Sequence, residues 1–93
     1  MGLGNLASAP PIAPVRWYVY FLRLKNGDVY VGSTNDLRRR LVSHRRGQAA
    51  ATRAHLPFAL ISYVAVGSAV VARNLEKYFK SGSGKALAAK RLW

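Results

Sequence analysis

Cysteine is missing from all 93 residues, which excludes disulfides and thiolate metal sites. That fits a reducing compartment, and a cytoplasmic location is expected. Acids are nearly missing as well. Asp28, Asp36 and Glu76 are the whole set, against 15 Lys and Arg, for a formal net charge of +12. A chain this basic repels itself, which is tolerated when the partner is a polyanion. Nucleic acid is the first candidate; an anionic membrane surface or an acidic protein comes after it. Apolar runs stop well short of the ~18–20 residues of a membrane span, so no membrane partner is expected. The length allows one domain with a small core, since domains usually run to about 100–150 residues.

Residues 1–14 carry no charge and hold Pro10, Pro11 and Pro14. They have neither the basic start nor the unbroken apolar stretch of a signal peptide. They read as a flexible tail with extended polyproline character.

From residue 16 onward the texture changes. WYVYFLRL is aromatic and β-branched, as a strand covered on both faces would be. KNGD then turns the chain into VYVG, a returning strand. A two-residue Asn26-Gly27 turn would pair Tyr20 with Ser33 and Tyr30 with Arg23 and put the two rings on opposite faces. A three-residue loop, Lys25-Asn26-Gly27 with Gly27 left-handed, pairs Leu22 with Tyr30 and Tyr20 with Gly32, and is expected chiefly because a shared site needs it. Tyr18, Tyr20, Leu22 and Tyr30 then share one face, while Val19, Phe21, Val29 and Val31 fill the other. Thr34 or Asn35 is expected to cap the next helix, with Asp36 in its first turn and Gly47 at its end. QAAATRAHL reads as a loop or a short helical turn, and FALISYVAV as a third strand. Ser68 caps a second helix whose Val71, Leu75 and Tyr78 recur at helical spacing. Gly82 and Gly84 are expected to break it before a short last helix, KALAAKRLW. The order β-β-α-β-α-α describes an α+β domain, a small three-stranded antiparallel sheet flanked by helices.

Five arginines and a histidine occupy six of the nine positions from Arg38 to Arg46. Leu37 and Leu41 should face the sheet; Arg40 and His44, also four apart, lie beside that stripe. Arg38, Arg39, Arg45 and Arg46 point more toward solvent. A solvated basic face is one reading of them. With almost no acids to pair with, phosphate contacts are the other. Glu76 also has two readings. Arg73 and Lys80 at i−3 and i+4 offer a surface ion pair, worth perhaps ~0.3–0.5 kcal/mol; the residues alone favour it. The other is a metal ligand, since one carboxylate with waters and phosphate suits Mg2+. SGSGKA is not a phosphate loop: Phe79 stands where the first glycine belongs, and Ala86 lacks the hydroxyl. Two histidines without thiolates do not make a zinc site. Trp17 and Phe58 read as core.

YVY at 18–20, YVG at 30–32, Arg40 ten residues after Tyr30, His44 and the distant Glu76 together resemble the GIY-YIG nuclease domain. The likeness runs from about Trp17 to Lys80. EKYFKSGSGKA at 76–86 and Thr52-Arg53 resemble the small stand-alone bacterial members. The resemblance implies that residues 15–93 form a nuclease domain cutting DNA as a metal-dependent endonuclease, directed by structure rather than sequence. DNA repair enzymes are among the relatives it suggests. A module that binds DNA or structured RNA without cutting it is the alternative. Tyr20 would act as, or orient, the base for the attacking water; Tyr30 would hold water or phosphate; Arg40 would stabilise charge on the phosphate. His44 would assist proton transfer. Glu76 would hold one Mg2+ or Mn2+, so the resemblance reverses the preference for an ion pair. Arg38, Arg39, Arg45, Arg46, Arg53, Lys77, Lys80 and Lys85 are the expected nucleic-acid contacts. The sequence departs from the family at Tyr18, where the naming glycine would stand, and at Ala50 and Ala51, where relatives often carry basic or aromatic residues. With no second domain expected, a separate protein would have to do any targeting.

Overall fold

The computed structural model describes residues 15–93; the expected tail at 1–14 lies outside the described residues. Strands β1 (Trp17–Arg23) and β2 (Val29–Thr34) lead into helix α1 (Leu37–Arg45). A 3-10 turn at Arg53–His55 precedes β3 (Ala59–Val66), α2 (Ala69–Phe79) and α3 (Gly82–Arg91). The sheet is antiparallel with order β2-β1-β3, so β1 is central and β2 is an edge. This is the α+β architecture expected from the sequence. Among the described residues no helix is long and apolar enough to cross a membrane.

The hairpin adopts the register that a left-handed Gly27 dictates. Gly27 has φ +91, Leu24 N–H donates to the Asp28 carbonyl at 2.8 Å, and Tyr20 pairs with Gly32 and Leu22 with Tyr30. Strand alternation then makes two cores. On one face Val19, Phe21 and Val31 pack with Ala72, Phe79 and Ala88 from α2 and α3. On the other, Tyr20, Leu22 and Leu24 pack with Tyr30, Leu37, Leu41 and Phe58. Phe21 is fully buried and meets the Phe79 ring edge-on at 5.1 Å. Burying one such side chain is worth about 1.5–3 kcal/mol, a large share for so small a core.

Three local details differ from the sequence reading. Asp36 is itself the cap of α1: its Oδ1 accepts from Arg39 N–H at 3.1 Å, and Thr34 Oγ1 accepts from Asp36 N–H. The buried stripe of α2 is Ala72, Leu75 and Phe79, leaving Val71 and Tyr78 exposed. Small Ala72 lets the helix approach the sheet, and Phe79 fills the space beside Phe21. Finally, Gly82 and Gly84 open α3 instead of preceding it. Ser81 Oγ caps the helix by accepting from Gly84 N–H. A side chain at Gly84 would strike the Tyr78 carbonyl and Phe79 Cα, so glycine is what lets α3 fold back on α2.

Candidate active site

Tyr20 stands in the central strand, and β2 brings Tyr30 beside it, with ring centroids 6.2 Å apart. The gap between the rings depends on Gly32. A Cβ there would lie 2.5 Å from the Tyr20 hydroxyl oxygen and 2.9 Å from Tyr30 Cε2. In the last turn of α1, His44 inserts between the tyrosines and Phe58 and is fully buried. Its Nε2 is 2.8 Å from the Tyr20 hydroxyl and its Nδ1 is 2.8 Å from Thr52 Oγ1, so both ring nitrogens are engaged. Thr52, also fully buried, has no counterpart among the sequence-derived candidates. It sits in the loop that resisted assignment, and no periodicity points to it.

Electrostatics set the resting protonation. Burial pushes the Tyr20 phenol up to about 12, although the neighbouring Arg40 guanidinium pulls the other way. Burial, assisted by Arg40, holds His44 below its ordinary 6.5. Tyr20 beside it raises the Arg40 pKa further, against a smaller effect of burial. At neutral pH the cluster is therefore a neutral phenol, a neutral imidazole and a fixed cation.

Arg40 also opens onto a groove of about 860 Å3 along α1, which it lines with Arg39, Arg46, Thr34, Ser43 and Gln48. Arg38 and Arg45 lie on the opposite flank of α1, beside Tyr18 and Tyr63. Arg53 is exposed in the 3-10 turn, and Lys77 and Lys85 are exposed on α2 and α3, the layer across the sheet.

Glu76 reaches the edge strand from that other layer. Ser33 Oγ donates to its Oε1 at 2.6 Å and Lys80 Nζ to its Oε2 at 2.7 Å. Ser33 follows Gly32, and consecutive strand residues face opposite ways. Glu76 thus flanks β2 on one face while Tyr20, Tyr30, Arg40 and His44 gather on the other. Burial raises the Glu76 pKa, but Lys80 and Ser33 outweigh it and the net shift is downward, so the carboxylate is ionised at neutral pH. The ion pair read from the sequence does form with Lys80. Arg73, the other suggested partner, instead lies 5.8 Å from the Trp17 ring centroid. Among the described residues no group of three or more His, Cys, Asp or Glu could hold a metal. A lone hard carboxylate beside a hydroxyl still suits Mg2+, which keeps most of its waters. Lys80 is about half exposed, and such a pair is worth at most ~1 kcal/mol, so a divalent ion can displace it.

Comparison with known proteins follows the same residues. The model of the GIY-YIG catalytic domain matches residues 16–90. A UPF0213 protein of Nitratidesulfovibrio vulgaris is 48% identical over 46 residues, 48% of this chain and 42% of that one. One from Streptococcus pneumoniae is 42% identical over 64 residues, 68% of this chain and 65% of that one. The matched stretch thus spans about two fifths to two thirds of these relatives' length. The solution NMR structure of a UPF0213 protein from Bacillus halodurans superposes with a TM-score of 0.53 at 35% identity, covering 82% of this chain and 85% of that one.

Proposed function

The chain belongs to the GIY-YIG catalytic-domain family, and from that premise we propose that it is a metal-dependent endonuclease hydrolysing phosphodiester bonds in DNA. Residues 15–93 are the catalytic module, and substrate structure directs it more than sequence does, because phosphate contacts position without specifying. A DNA substrate fits a cytoplasmic protein, with a role in DNA repair and a separate targeting protein as further parts of this reading. The observation that carries it is the buried Tyr20–His44 hydrogen bond beside Arg40, which itself lines a groove with Arg39 and Arg46.

In this mechanism Arg39, Arg40 and Arg46 seat the phosphate, and Tyr20 and Tyr30 orient the attacking water. Full transfer of the Tyr20 proton to His44 in the resting site is uphill, because burial holds the phenol pKa up and the imidazole pKa down. A concerted relay avoids a free phenolate. The water gives its proton to the Tyr20 oxygen as Tyr20 gives its own to His44 Nε2, while Nδ1–H donates to Thr52 Oγ1. The water oxygen bonds to phosphorus, the bond to the leaving oxygen breaks, and that oxygen takes a proton from solvent. Arg40 holds the charge that develops on the phosphate. Glu76, with Ser33 beside it, would hold Mg2+ or Mn2+ across the edge strand from the Tyr20 cluster, where the ion would supply Lewis-acid stabilisation to a phosphate lying over that edge.

A second reading, a module that binds DNA or structured RNA without cutting, is favoured by one observation: Lys80 already occupies a Glu76 oxygen. The test incubates the protein with plasmid and with single-stranded, duplex, flap and four-way oligonucleotides, in Mg2+, Mn2+ or chelator. Nicking is expected only with metal, and Tyr20→Phe and Glu76→Ala, verified as folded, should abolish it. Tight binding with no cleavage of any substrate would overturn the nuclease and leave the binding module.

A further inference from the structure

The sheet face that carries Tyr20 is not covered out to β3. Between α1 and that strand lies an open groove of about 700 Å3, lined by Tyr18, Tyr63, Leu37, Leu41, Arg38 and Arg45. None of these six takes part in the mechanism above. Tyr63 leaves 52% of its surface in water and meets Tyr18 edge-on, with ring centroids 5.9 Å apart. Asp36, the one acid lining the groove, uses its Oδ1 to cap α1, and among the described residues neither guanidinium there forms an ion pair.

The groove's position matters as much as its lining. Tyr63 is the cross-strand partner of Tyr20, and neighbouring strands lie about 4.8 Å apart. Tyr18 precedes Tyr20 by two residues on the same face, about 6.7 Å along the strand. The groove therefore starts one side chain away from the Tyr20–His44 pair, on the side opposite β2.

An exposed ring and a half-buried one beside unpaired guanidiniums are complementary to a nucleotide whose base is free to stack and whose phosphates are free to pair. A base inside an intact duplex offers neither face. We propose that this groove binds an unpaired nucleotide of the substrate, with its base on Tyr63 and Tyr18 and its phosphate at Arg38 and Arg45. The nuclease reading then acquires a substrate class: DNA with a single-stranded segment next to the cut. This rests on that reading for the cut, but not for the binding.

The experiment measures binding of the full chain to a short labelled oligothymidylate, and to a duplex of equal length, by fluorescence anisotropy in chelator. Tyr63 is exposed, so substitution there leaves the core intact. Tyr63→Ala should weaken single-strand binding about 5- to 100-fold, leave duplex binding within about twofold, and be rescued by Tyr63→Phe, which keeps the ring. Wild-type single-strand affinity in Tyr63→Ala, equal losses in the Ala and Phe variants, or equal weakening on single strand and duplex would each overturn the proposal. Its failure is separable from that of the nuclease. If metal-dependent nicking is absent while Tyr63→Ala loses single-strand binding, the nuclease falls and the groove stands; the reverse pattern removes only the groove.

Discussion

The Tyr20 hydroxyl sits 2.8 Å from His44 Nε2, and neither side chain has more than 1% of its surface in water. A buried phenol and a buried imidazole each resist taking charge, so their protonation states depend on each other and on Arg40.

That dependence has an alkaline signature. In the unfolded chain Tyr20 loses its proton near pH 10, whereas in the folded protein it keeps it to about 12. The folded state then binds more protons across that window, so stability falls as pH rises from 10 to 12. The loss should be of order 2 kcal/mol more than in Tyr20→Phe, measured by urea unfolding at each pH.

Thr52 is expected to position His44. Thr52→Val leaves buried Nδ1 without a partner and should cost about 1–3 kcal/mol, whereas Thr52→Ser should restore most of it. If the nuclease reading holds, nicking follows the same order. Thermal unfolding and a plasmid assay check both.

Gly32 should tolerate no side chain. A methyl group in Gly32→Ala collides with the Tyr20 hydroxyl and the Tyr30 ring, and such overpacking costs about 1–3 kcal/mol. The same change should cost less in a Tyr20→Phe background, because one colliding atom is gone. A double-mutant cycle measures the difference.

The pH dependence of cleavage should place His44. The imidazole is held below 6.5 by burial and then by Arg40, and the relay needs it neutral. Activity should therefore be lost only when pH falls below the ordinary imidazole range. Arg40→Gln should move the His44 titration upward, as read by NMR, whatever it does to the rate.

DNA binding should weaken linearly in log–log plots against salt. Each phosphate contact removed in Arg39→Gln or Arg46→Gln should make the slope shallower by about 0.9. Lys90→Gln, on α3 across the sheet and outside the expected contacts, should leave the slope unchanged.

Much of this was legible along the chain because it rests on local rules. Gly27 allows a two- or a three-residue turn; the three-residue loop is expected because a shared site needs it, and the observed register puts Tyr20 and Tyr30 on one face. Spacing by four put Arg40 and His44 beside Leu37 and Leu41 on α1. The buried face of α2 was misread, since Val71, Leu75 and Tyr78 have as good a helical period as Ala72, Leu75 and Phe79. Only the fit of Phe79 against Phe21 decides between them.

The sequence by itself settled charge, fold class and which residues share a face within one element, Tyr20 with Tyr30 on the hairpin and Arg40 with His44 on α1, because composition and short-range periodicity act within a few residues. Tertiary structure alone decided that Thr52 meets His44, that Glu76 comes to β2 from the far face, and that Tyr63 lies beside Tyr20. These are contacts between elements, and they depend on how helices and strands pack, which no local spacing encodes.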